Sequence, residues 1–326
     1  MATELDAFLR HQAYLEGYKN GQTEETETAF EEIAAVIILL LNRLGVERLS
    51  DLTKRDLAKF VAEVNRKVAE IFNKNPGFTI DAIKEFMRTE LQVYNGIYKA
   101  LETPKPLPPF NGDRIVTEAV GAPVAGLGEG MAAIITGTLG SILADIRKQL
   151  HRGAADNLTI AEIARLIVGT RAVNFKDGLM PKMVRRYVSA LETMIQHASA
   201  YLGHRLGAMV SDRYQWVSVL DSGTTDICRG RNGNVYEYAT GPRPPAHYRC
   251  RSTTVPVLAP QPLAVPTYFG WIRQQPQAIL VDLLGATRAN GLQSGNLRAD
   301  ELGPFGGTRS LTLAQYRAAL SRMIED

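Results

Sequence analysis

WVSVLDSGTTDICRGRNGNVYEYATGPRPPAHYRCRSTTVP, Trp216 to Pro256, holds both cysteines of the chain, one of its two tryptophans, an Asn-Gly pair and a His-x-x-Cys pair. Gln215 to Leu220 is a short alternating apolar run suited to a half-buried strand. The acceptor-rich Asp221-Ser222-Gly223-Thr224-Thr225-Asp226 follows, and side chains that bond nearby N–H groups favour a turn or a helix N-cap there. Asn232-Gly233 tolerates positive φ, and Val235 to Tyr238 resumes the alternation, which is a hairpin signal. Pro242, Pro244 and Pro245 force an extended path into His247, Cys250 and Arg251. These features predict a compact β-knuckle over 214–258 that returns Cys228, His247 and Cys250 to one neighbourhood.

Outward from the knuckle the pattern is helical. Ala29 to Leu44 is predominantly apolar, carries Glu24, Glu25, Glu27, Glu31 and Glu32 at its N-terminal end, and meets Gly45 at a C′ position. Thr53-x-x-Asp56 resembles a capping box for a helix reaching about Phe72, with Leu57, Phe60, Val61, Val64, Val68 and Ile71 at three- and four-residue spacing. Asn75-Pro76-Gly77 breaks that pattern, and a third helix runs from Thr79 or Asp81 to about Leu101. Met131 to Leu150 reads as helix despite Gly137 and Gly140, Thr159-x-x-Glu162 caps a short helix ending near Gly169, and Pro181 opens a long one through about Met209. Short helices follow Pro266.

The expected class is therefore α+β, mainly α-helical. It comprises an N-terminal helical region (1–102), a Pro-rich linker (103–114) with Pro104, Pro106, Pro108 and Pro109, a central helical region with long helices (115–213), the knuckle (214–258) and short C-terminal helices and loops (259–326).

Composition narrows the class of protein. A hydrophobic share of 45% with 22% charged residues is that of a soluble globular chain, and its net charge of +3 permits contact with DNA or an acidic partner without requiring it. Two cysteines are too few for a disulfide-stapled scaffold, and Met1 to Glu4 lacks the start of a secretory signal, so synthesis in a reducing host cytoplasm is expected. Ile33 to Leu41 falls short of the roughly 20 apolar residues that span a bilayer. The glycine-rich Ala119 to Ala144 reads as a small-residue helix packed tightly against a partner helix or subunit, with a membrane-active segment as the alternative. Gly126-x-Gly128-x-Gly130 lacks the GK[ST] ending of a phosphate loop.

The order W-x4-D-x2-T-x3-C-x4-G-x2-Y followed by P-P-x-H-x2-C-R-S resembles the Mu F-like head morphogenesis domain of tailed bacteriophages. Trp216, Asp221, Thr224, Cys228, Gly233, Tyr236, Pro245, His247, Cys250 and Arg251 occupy the motif positions. A weaker likeness continues through Tyr268 to Pro276, Leu284 to Arg288, Asn290-Gly291 and Leu311 to Leu313. The resemblance covers about the second half of the chain. It implies a minor head protein, a structural and assembly component of low copy number in the virion near the portal. Portal protein, major capsid protein and packaged double-stranded DNA are the implied partners. Accompanying DNA during ejection is compatible with that role.

The chemistry of the knuckle has several readings at the level of sequence. Thiolate and imidazole are good zinc ligands, so Cys228, His247 and Cys250 form a candidate zinc set, with Asp221, Asp226, a water or a distant residue as fourth ligand. Unmetallated thiols beside a hydrogen-bonded histidine, and a Cys228–Cys250 disulfide, are the alternatives. A nucleophilic cysteine would need His247 as base, oriented by an acid such as Asp221, and the family implies no such activity. A zinc- or cysteine-dependent enzyme and a DNA-binding accessory protein are thus the competing functional classes. Arg229, Arg231, Arg243, Arg249 and Arg251 crowd the knuckle, where they would meet phosphates or an acidic portal surface, or pair with Asp221, Asp226 and Glu237. Trp216 and Trp271 read as core anchors. Lys182, Arg185, Arg186, His197, His204 and Arg205 read as a solvated helix face.

Overall fold

The computed structural model describes residues 4–75, 79–101, 103, 105–124, 127–170, 176–221, 223–259, 263–302 and 307–325. Pro76, Gly77, Pro104, Gly126 and Ser222, read above, lie outside them. Among the described residues the chain is mainly helical, with twelve α-helices and one three-stranded antiparallel sheet. The helices are α1 (Glu4–Arg43), α2 (Lys54–Lys74), α3 (Ile80–Ala100), α4 (Gly112–Gly121), α5 (Met131–Ala155), α6 (Ile160–Val168), α7 (Leu179–Val210), α8 (Asp226–Arg231), α9 (Tyr268–Ile272), α10 (Gln277–Leu284), α11 (Ala286–Ser294) and α12 (Leu313–Glu325). No helix among the described residues is long and apolar enough to cross a membrane.

The chain groups into two compact units that do not follow the sequence-order division. One comprises Met1–Gln22, Ile83–Gly130 and Glu192–Asp326, and the other Thr23–Ala82 and Met131–Leu191. The Pro-rich stretch therefore joins α3 to α4 inside the first unit instead of marking its edge.

In the second unit the local signals act as read. The Thr53 hydroxyl accepts from the Asp56 N–H at 3.1 Å and starts α2, whose Phe60, Val61, Val64, Val68 and Ile71 are buried. Thr159 and Glu162 form a reciprocal capping box on α6, which ends at Gly169 with φ of 101°. Phe30 and Phe72 pack against Tyr187, with ring centroids 6.3 and 5.9 Å away. A Cβ on Gly137 or Gly140 of α5 would meet no atom within 4 Å, so among the described residues they serve no tight helix contact.

In the first unit α1 begins at Glu4, about 25 residues earlier than the apolar run predicts. The reason is that its buried face is partly polar. His11 faces Glu90 at 3.1 Å, and the Gln12 amide donates to Glu16 and to Gln196 at 2.8 and 3.1 Å. The Lys19 ammonium also bonds Glu16, at 2.7 Å. Satisfied polar groups take core positions here, so the hydrophobic period is disguised. Gly17 and Gly21 let the Arg309–Leu311 backbone approach, and the Leu311 N–H donates to Gly17 O at 2.9 Å. A Cβ on Gly21 would lie 2.2 Å from the Leu311 carbonyl oxygen. Gly21→Ala is therefore expected to cost about 1–3 kcal/mol through overpacking. The exposed helix change Gly137→Ala should gain roughly 0.5–1 kcal/mol. Urea unfolding of the two variants checks both signs.

The sheet order is β2 (Val235–Glu237), β1 (Arg213–Ser218), β3 (Ser252–Pro256). Tyr214 lies opposite Tyr236 on one side and Pro256 on the other, and Trp216 opposite Thr254. As the central strand, β1 is buried on both faces from Tyr214 to Ser218, not half-buried. Gln215 is accommodated there because its amide donates to Gly233 O and Leu263 O at 3.0 and 2.8 Å and accepts from Leu263 N. The expected hairpin forms as the antiparallel β1–β2 pair, with a connection longer than the Asn-Gly turn alone. The short helix α8 is inserted between β1 and β2, and Asn232-Gly233 closes a turn after it, with Asn232 at φ −58° and Gly233 at φ 83°.

Candidate metal centre

The knuckle is built on Trp216, which is fully buried with Tyr214, Tyr238, Cys228 and Cys250. Its indole N–H donates to the Ser218 hydroxyl at 2.9 Å. Ser218 in turn bonds Ser252 across the sheet and the carbonyl of Cys228, at 2.9 and 3.0 Å. One polar relay thereby ties β1, β3 and α8 together. Trp271 is likewise an anchor, buried and donating to Asp6 at 2.7 Å.

Thr225, not Asp221, caps α8, accepting from the Cys228 N–H. Asp221 instead receives both guanidinium nitrogens of Arg251 in a bidentate pair with almost no solvent exposure. It also accepts from the Gly223 N–H at 2.9 Å, while the Thr224 hydroxyl closes the same loop onto Val219 O. Gly233 takes the left-handed turn that a side chain would strain, and Tyr236 packs on Tyr214 at 5.7 Å. Pro245 is buried. All ten motif residues thus sit in one small module, each with a structural contact.

Cys228, His247 and Cys250 converge, their ligand atoms all within 4.8 Å of one another. Cys228 Sγ lies 3.6 Å from Cys250 Sγ and 3.0 Å from His247 Nε2. A tetrahedral zinc ion would set these separations at roughly 3.8 and 3.5 Å, so a movement of about half an ångström accommodates one. His247 Nδ1 donates to its neighbour's carbonyl, Tyr248 O, at 2.7 Å, which leaves the lone pair on Nε2, facing the Thr225 hydroxyl at 2.8 Å and Cys228 Sγ. The same carbonyl bond means that Asp221 does not orient His247, so the sequence-level Cys-His-Asp arrangement is not formed. The two thiols ionise as a pair: the hydrogen bond from Cys228 holds the Cys250 thiol below its ordinary value, and that bond together with burial pushes Cys228 up. Either candidate carboxylate for a fourth ligand is engaged elsewhere. Asp221 is in the Arg251 pair, and the side chain of Asp226 is fully exposed near Arg229 at 3.8 Å.

The arginines sort by partner. Arg251 is buried in its ion pair and is removed from the expected surface set. Arg249 takes a left-handed backbone, φ 58°, held by its N–H on the Thr193 hydroxyl and by its guanidinium forked onto Glu192 of α7. Arg231 stacks over Trp216 and Arg243 over Tyr201, at 5.1 and 4.4 Å. Arg229 donates to the Thr224 carbonyl at 3.1 Å.

Sequence reasoning placed His197 and His204 on a solvated face; the structure places His197 fully buried and His204 half-buried beside the rings of Tyr214 and Tyr238. Lys182, Arg185 and Arg186 are exposed as read. His197 Nε2 donates to Ala119 O at 3.4 Å, and its Nδ1 has no partner among the described residues. Burial, reinforced by the charge of Arg243, lowers both histidines to about 4. A proton then prefers the unfolded chain, so their stability contribution is whole above pH 6.5 and is lost as pH falls towards 4. For His197 alone the loss by pH 4 is on the order of 2–3 kcal/mol. Urea midpoints measured from pH 7 to 4 should fall in the native chain and fall less in His197→Gln.

No family model, curated protein or solved structure matches this chain.

Proposed function

We propose that this chain is a minor head protein of a tailed bacteriophage, a binding and assembly component near the portal whose knuckle is clasped by zinc. The observation that carries the reading is the convergence of the ten motif residues, separated by up to 35 positions in sequence (Trp216 to Arg251), into one module where each has a packing, turn or hydrogen-bonding role or joins the Cys-His-Cys cluster. That is what a motif describing a rigid recognition element should look like. Cys228, His247 and Cys250 would supply two thiolates and one imidazole to the metal, and the metal would lock β1, α8 and the 247–250 turn in place of a larger core.

Phosphate or portal contacts fall to Arg229, Arg231 and Arg243, since Arg249 and Arg251 are held by Glu192 and Asp221. Location in the virion follows from the same reading. The test is quantitative mass spectrometry of purified virions and procapsids, with copies counted against portal protein. The expected result is a virion component no more abundant than the portal subunit. Presence in procapsids alone would make it an assembly factor, and absence from both overturns the reading.

A second reading, a DNA-binding accessory protein, is favoured only by the stacked Arg231 and Arg243, neither of which carries a carboxylate pair in the described set. Steeply salt-dependent DNA retention that disappears in Arg231→Ala/Arg243→Ala would support it.

A further inference from the structure

We propose that Arg243 and Arg205 form a seat for one phosphate group on the face of α7 that carries His197 and Tyr201. The inference narrows the phosphate contacts of the reading above to a single place, and it rests on that reading for the source of the phosphate.

His197, Tyr201 and Arg205 are spaced by four residues and share one face of α7. Arg243 crosses that face. Its guanidinium carbon lies 4.4 Å from the centre of the Tyr201 ring, and its charge is felt by His197, His204 and Arg205. The loop that carries it is anchored, because the Tyr214 hydroxyl donates to Pro242 O and both Pro244 and Pro245 are buried.

The charges around Arg243 do not balance. A half-buried guanidinium loses hydration, which a carboxylate ordinarily replaces. Among the described residues no carboxylate faces Arg243. Glu118 of α4 serves this face but is fully engaged, one oxygen accepting from Arg114 and the other from Arg205, each at 3.0 Å. Three guanidiniums therefore share one carboxylate. Burial, with the charge of Arg205, holds Arg243 below its ordinary value, and the Tyr201 ring offsets only part of that cost. What the place lacks is an anion.

A guanidinium laid on a ring keeps its in-plane N–H donors for a fork of oxygens. Two guanidiniums from different elements suit an acceptor with oxygens on more than one side. A tetrahedral phosphate has them, and a planar carboxylate does not.

The experiment titrates the full chain with inorganic phosphate and, separately, with a short DNA duplex. Affinity is read by calorimetry, and the ring resonances of His197 and His204 are followed by NMR. An anion on Arg243 cancels the charge that helps to depress both histidines, so their pKa values are expected to rise saturably with either probe. Arg243→Gln should weaken binding about tenfold, whereas Arg185→Gln, an exposed arginine of the other unit, should leave it unchanged. Tighter binding of the duplex assigns the seat to a nucleic-acid backbone; equal or weaker binding assigns it to free phosphate, and both support the seat. No saturable response to either probe overturns it. So does an equal loss in Arg243→Gln and Arg185→Gln, which reports only the general positive charge of the chain. Either failure leaves the virion reading standing, while absence of the chain from virions and procapsids removes that reading and leaves the seat.

Discussion

Arg251→Met is expected to destabilise the knuckle by about 3–5 kcal/mol, the cost of leaving one partner of a buried ion pair uncompensated. The pair is bidentate, and the side chains of both residues are nearly inaccessible to solvent. Removing the guanidinium strands the Asp221 carboxylate beside an apolar sulfur, with the Gly223 N–H and the Thr224 hydroxyl still bonded to it. Adding Asp221→Asn removes the stranded charge but keeps an acceptor for the Gly223 N–H. The double variant should therefore recover roughly 1–2 kcal/mol of the loss, a coupling measurable as a double-mutant cycle in urea. If the two changes simply add, the pair is not the unit described here.

Withdrawing the metal should have an effect of similar size. A ligand bound only by the folded state stabilises it by about 4 kcal/mol when its free concentration is a thousandfold above its dissociation constant. Stripping with a chelator should lower the thermal midpoint accordingly, and adding zinc back should restore it. Cys250→Ala should sit near the stripped protein and respond to neither treatment, because the remaining Cys228 and His247 are too few to hold the ion. A chelator-insensitive midpoint in the native chain would place the thiols with the ordinary buried cysteines of a core.

Much of the fold was legible where causes are local. The threonine caps of α2 and α6 act through residues three positions away, and the spacing of apolar residues marks α2 correctly. The strand pair and the return of Cys228 to His247 and Cys250 were also readable, because prolines, turns and alternation are local signals too. The misread features share a different cause. The first half of α1 is hidden because His11 and Gln12 pair with Glu90 and Gln196, far away in sequence. The same holds for Arg249, which reaches 57 positions to Glu192, whereas the pairing of Arg251 with Asp221, 30 positions back, was one of the two readings of the knuckle arginines. His197 and His204 look like surface residues until Ala119 and Tyr201 meet the first, and Tyr214 and Tyr238 the second, with Arg243 near both. Of α8 only the N-cap was legible, because its six residues include Gly230 and three charges, a composition that reads as loop. The cap at Thr225 was its one available signal.

The most direct test of the account is elemental analysis of the full chain purified without chelator. It predicts about one zinc ion per chain, falling to background in Cys228→Ala/Cys250→Ala. A ratio near zero in the native chain would contradict the metal-clasped knuckle.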